Sequence, residues 1–171
     1  MIPLDQDWAL LLLRLGIAWV FLYAAWMNSR DKASRDWTAN ETAILFRGTP
    51  LAGAARLIRV FSMIGVAIMY AGGLGLALGV LPRLAALMLF VFTVPGIVIH
   101  IRNRADALKV GGELEAAVPQ AQAAPASALK WLAYAGHHSS ALKNYALLGM
   151  CAFFVLADDP VGRFALTAVL R

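Results

Sequence analysis

Two groups of side chains in this sequence have the types and placement for chemistry, and both are basic. The first is Arg14, which stands inside the apolar run that opens at Trp8. A guanidinium about 9 Å along a helix axis from the membrane surface is costly unless it snorkels outward, meets a carboxylate or holds a ligand. Asp158 and Asp159 close the last apolar run. If the chain crosses the membrane four times they fall at the same surface as Trp8, which makes Asp158 the candidate partner of Arg14 in an intramembrane ion pair. The second group is His100, Arg102 and Arg104 together with Arg56 and Arg59. Arg56 and Arg59 are three apart and share a helix face. On antiparallel helices all five meet at one membrane surface. There an imidazole donates a hydrogen bond to a carbonyl oxygen and guanidiniums stabilise negative charge, the chemistry of a quinone head group or an anion, with lipid phosphate as the simpler ligand.

Other chemistry is thin. The chain has no phosphate loop, no dinucleotide fingerprint and no local Ser/His/Asp motif. His137 and His138 are adjacent, point to different sides of a helix and are poorly placed to share a metal, so no metal site is assigned and solvated or capping histidines are expected. Cys151 is the one cysteine. It excludes an internal disulfide and a Cys-x-x-Cys pair, and it reads as a small buried hydrophobe. No catalytic residue is assigned. The chain is expected to be non-catalytic alone, with no intrinsic cofactor and with quinone as the one candidate.

The elements that must position these residues are long apolar runs. Apolar residues make up 61% of the 171 and are gathered into those runs, which marks an integral membrane protein. Val60 to Gly79 carries no charge, and its twenty residues give roughly 30 Å of helix, one hydrocarbon core. Val80, Leu81 and Pro82 leave room only for a turn, with Pro82 suited to the first position of the next helix. No alternation of apolar and polar residues supports a barrel strand. The expected spans are 8–27, 57–79, 82–101 and 141–157. They form an all-α membrane protein, a single domain over 1–171 with four transmembrane helices in an antiparallel bundle. Gly72, Gly75 and Gly79 give the second span a small-residue face for close helix packing. Pro95 removes a backbone donor from the third.

The connections are polar. Asn40 to Phe46 reads as a capped short helix lying on the membrane or the bundle. Residues 102–140 read as a long loop with a flexible Ala/Gln/Pro-rich part over 116–128 and a short interfacial helix over 128–134. Val161 to Arg171 is too short to span and is expected at the surface. The net charge of +5 is read as orientation and attraction to anionic lipid, not nucleic acid. The two long connections and their helix ends hold eleven Lys and Arg residues, against Arg83, Arg163 and Arg171 on the other side. That asymmetry places the long loops in the cytoplasm and both termini outside.

Arg14, Gly16 and Phe21, the run G-V-L-P-R-L-A-A-L from Gly79 to Leu87, His100 and V-G-R-F-A-L from Val161 to Leu166 together resemble the DoxX/DoxD-like family. The resemblance covers the four spans and is best in the hairpin between the second and third. It implies a four-helix bundle in a bacterial inner membrane, associated with redox systems that include the small membrane subunit of thiosulfate:quinone oxidoreductase. The family's helix-two glutamate falls at Met69, which removes the expected partner of Arg14. The function expected is an accessory or anchor subunit of an electron-transfer complex, held to larger subunits or to copies of itself. A quinone-reactive small subunit is the alternative. A transporter is disfavoured by the lack of an intramembrane polar path.

Overall fold

The computed structural model describes residues 6–158 and 162–166, with Arg163 by its backbone alone. Helix α1 is Gln6–Ser29 and α2 is Lys32–Ala43, continued by a 3₁₀ turn at Ile44–Phe46. Helix α3 is Ala55–Leu78, α4 Pro82–Ala117 and α5 Gln120–Leu156, and a second 3₁₀ turn covers Gly162–Phe164. No strand occurs among the described residues. Helices α1, α3, α4 and α5 are long and apolar enough to cross a membrane. Helix α1 packs on α3, α3 on α4, and α4 on α5. Ile17, Phe21, Met69, Leu76, Leu89, Cys151 and Phe154 meet in the common core.

The glycines of α3 explain how its neighbours come so close. A Cβ on Gly72 would stand 2.7 Å from Leu89 Cγ, and one on Gly75 would stand 3.0 Å from Ala85 Cβ, so both positions face α4. One on Gly73 would meet Leu22 of α1 at 2.9 Å. Gly79 ends the helix in the left-handed region, φ 67°. Its N–H donates to the Leu76 carbonyl at 3.3 Å and the Val80 N–H to the Gly75 carbonyl at 2.8 Å, a Schellman closure that leaves few carbonyls of the last turn bare. Pro82 then opens α4, as its fixed φ favours.

The 102–140 segment corrects the sequence reading. It is not a loop: α4 continues to Ala117, α5 begins at Gln120, and Val118 and Pro119 alone make the turn. Alanine and glutamine are strong helix formers. Pro119 stands at the N-cap, where its missing N–H costs nothing, and Pro125 lies on an exposed turn of α5. An Ala/Gln/Pro composition without apolar periodicity hides such a helix. Sixteen residues past Ile101 extend α4 by roughly 24 Å beyond its span. Lys130 pairs with Glu115 across the two arms, and Gly111 gives its stem room, since a Cβ there would lie 2.7 Å from Lys130 Cβ.

Helix α2 also starts earlier than expected. Asp31, not Asn40, is the N-cap, and its side chain accepts the Ser34 N–H at 2.7 Å. That bond holds the Asp31 carboxyl below the usual carboxylate range. Beyond α5 the chain does not simply lie at the surface: Phe164 packs on Trp8 with ring centroids 4.5 Å apart, and Ala165 is buried. Asp159, Val161, the Arg163 side chain and Arg171 lie outside the described residues.

Candidate functional site

The five residues expected to converge do not. Four of them find partners in different directions, and Arg56 makes no ion pair among the described residues. Arg59 turns to α2 and pairs with Asp36 at 2.9 Å. Arg102 donates to the carbonyls of Ile44 at 2.6 Å and Leu45 at 3.2 Å, and so fastens the 3₁₀ turn that follows α2. Nearby, Asn103 donates to Glu41 at 2.6 Å and Arg47 pairs with Asp106. Arg56 borders a shallow recess lined wholly by residues of α3, which is an outer helix face, not a closed pocket.

His100 and Arg104 turn to α5. His100 Nδ1 lies 3.3 Å from His137 Nδ1, so one ring carries its proton on that nitrogen and donates to the other. Arg104 donates to His138 Nδ1 at 3.0 Å and lies 5.9 Å above the Tyr134 ring, which stacks on His138. The long α5 makes this possible. It carries the adjacent His137 and His138 back along α4, where they meet His100 and Arg104, which stand four residues, about one turn, apart. Adjacency in sequence separates His137 and His138, and each meets a different residue of α4. Among the described residues no three His, Cys, Asp or Glu side chains gather.

Among the described residues Arg14 is the most buried polar group, with 0% of its surface exposed. Nη2 donates to the Phe164 carbonyl at 2.9 Å, while Nε and Nη1 have no hydrogen-bond partner among the described residues. The guanidinium lies against Gly79, where any Cβ would collide with Nη1 and come within 2.7 Å of Ala165 Cβ. It therefore sits at the negative, C-terminal end of the α3 dipole, which partly offsets its charge. The expected ion pair with Asp158 is not formed. Arg83 at the start of α4 donates to the carbonyls of Ala157 and Asp158 at 2.8 and 2.9 Å. This holds the end of α5 to α4, and the chain doubles back so that Phe164 supplies the contact instead. Met69 is not opposite Arg14 either. Gly73 lies on Leu22 and Gly79 on Arg14, so Met69 is ten residues, roughly 15 Å, along α3 from the guanidinium. A glutamate there would fall short.

The His100–His137 contact depends on the register of two helices of which one end read as loop. The Arg14–Phe164 contact is a side chain meeting a backbone carbonyl 150 residues away, which leaves no residue-type signal. The fold and these sites define a four-span helical membrane protein with a fully buried arginine at one end and an imidazole pair at the other. The DoxX family model matches residues 9–102, more than half of the chain, and the protein belongs to that family. No curated protein and no solved structure matches it.

Proposed function

We propose that this DoxX protein is an integral-membrane accessory or anchor subunit of an electron-transfer complex. The observation that carries the reading is the arm formed by α4 and α5 beyond the membrane. It is a two-helix projection on which Val110, Leu114, Leu129 and Leu132 are exposed, apolar surface of the kind that seats another subunit. Purification in a mild detergent should retain a larger partner. Leu114→Glu with Leu132→Glu should release it while the chain stays helical and monodisperse. Recovery of the unmodified chain without any partner overturns the reading.

The membrane is the bacterial inner membrane, with the arm in the cytoplasm and both chain ends outside, as the eleven-to-three distribution of basic residues favours. A reporter fused after Arg171 should read as periplasmic; a cytoplasmic signal inverts the orientation.

A second reading, a quinone-reactive small subunit, is favoured by the His100–His137 pair. It is half-buried where α4 leaves its span, and the ring that accepts the Nδ1–H carries its own proton on Nε2, which can donate to a carbonyl oxygen. Quinone co-extracted with the purified chain, and lost in His100→Leu, would support it over a purely anchoring role.

A further inference from the structure

The bundle is open along one side. Helix α1 packs on α3 and α2, and α5 packs on α4. Between α1, α2 and α5 a groove of about 720 Å³ remains. Its lining is graded by depth. Asn28 and Ser34 flank the α1–α2 turn at the loop-side surface, and Lys143 faces them from α5. Helix side chains lean toward the N-terminus, and α5 enters the membrane N-terminus first, so the Lys143 stem carries its ammonium toward that same surface. Deeper lie Trp19 and Tyr23, their rings stacked 6.2 Å apart. Trp19 is nine residues from Asn28, roughly 14 Å further into the bilayer, and it is 69% exposed.

The charges at the polar end do not cancel. Asp31 is engaged by the Ser34 N–H and by Arg30, and Asp36 by Lys32 and Arg59. None of the ion pairs among the described residues includes Lys143, which stands within electrostatic reach of His100. The groove thus offers an apolar aromatic wall, two polar side chains at head-group height and one cation with no carboxylate partner among the described residues.

We infer that the α1/α2/α5 groove is a binding site for an anionic phospholipid, with acyl chains against Trp19 and Tyr23 and the phosphate on Lys143. A zwitterionic lipid fills the apolar part equally well but brings its own cation to Lys143. One basic residue near the membrane surface gives a preference of about five-fold for the anionic lipid.

Native mass spectrometry of the whole chain, released from micelles containing phosphatidylglycerol or phosphatidylcholine of matched acyl chains, tests this. Retained phosphatidylglycerol should exceed phosphatidylcholine about five-fold. The preference should fall to parity in Lys143→Gln, return in Lys143→Arg, and persist in Lys109→Gln, which alters an exposed lysine outside the groove. Quenching of tryptophan fluorescence by brominated phosphatidylglycerol reads the same preference in the unmodified chain. Parity in the unmodified chain overturns the assignment, as does a preference that survives Lys143→Gln or is lost equally in Lys109→Gln. A quinone or a second copy of the chain occupying the groove and excluding phosphatidylglycerol overturns it as well.

Discussion

Gly72→Leu should disrupt the bundle, and Gly72→Ala alone should lower its stability by about 1–3 kcal/mol. Even the alanine Cβ would stand 2.7 Å from Leu89 Cδ2 and 3.1 Å from the Ala85 carbonyl oxygen. Leu89 is fully buried, and the Ala85 carbonyl is main chain, so relief at that contact requires α4 itself to shift. A shift of α4 moves α5 with it, because α5 packs along α4. Gly149 is the matched control: nothing lies within 4 Å of a Cβ there, and Gly149→Ala should be neutral or slightly stabilising through helix propensity. Unfolding of the purified chain in detergent measures both. Leu89→Ala should partly rescue Gly72→Leu by returning volume across the same contact, seen as a favourable coupling in the double-mutant cycle. Equal stability of the Gly72 and Gly149 variants would mean that α3 and α4 are not in contact at this face.

Arg14→Ala should cost about 2–5 kcal/mol, chiefly through the cavity it leaves, and Arg14→Met less. Alanine empties the space beneath Phe164 and Ala165 and removes the donor to the Phe164 carbonyl. Methionine fills most of that space. It leaves the Phe164 carbonyl without its donor, at about 1–3 kcal/mol, but it also removes a buried charge that has no carboxylate partner among the described residues, and the two changes oppose each other. The residues after α5 should loosen in both variants, which amide exchange at Phe164 and Ala165 would report. Because Asp158 is held by Arg83 through its backbone carbonyl, Arg14→Met and Asp158→Asn should be additive within about 0.5 kcal/mol. A coupling above about 1 kcal/mol would put the Asp158 carboxylate on Arg14 after all. The buried charge also explains why Gly79 tolerates no side chain. Its left-handed φ closes α3, and its bare Cα makes room for the guanidinium.

The four spans were legible in the sequence because hydrocarbon imposes a length and a composition that a chain must meet locally. The Val60–Gly79 run, the turn before Pro82 and the small-residue face of α3 needed no tertiary information. Neither did the family resemblance, since most of its motifs sit in those same spans. Cys151 as a buried hydrophobe was legible for the same reason, and it is fully buried in the core.

What lay beyond the membrane was not legible. Outside lipid nothing forces an Ala/Gln/Pro stretch to declare itself, and residues 102–140 read as a loop until the pairing of α4 with α5 supplied the partner that makes both helical. Side-chain destinations were likewise decided by packing. The type and position of Arg14, Arg59, Arg102 and His100 showed that each is costly to leave unpartnered, but not whether the partner would be a carboxylate, a carbonyl or another imidazole. Asp36, the Ile44 carbonyl, His137 and the Phe164 carbonyl reached them through helix register and the return of the chain. The groove beside Lys143 exists only because α1 and α5 follow other neighbours. The sequence by itself determined which segments enter the membrane, because burial in lipid is a property of each segment alone. The tertiary structure decided which groups meet, because a contact depends on the relative placement of two segments and neither carries it by itself.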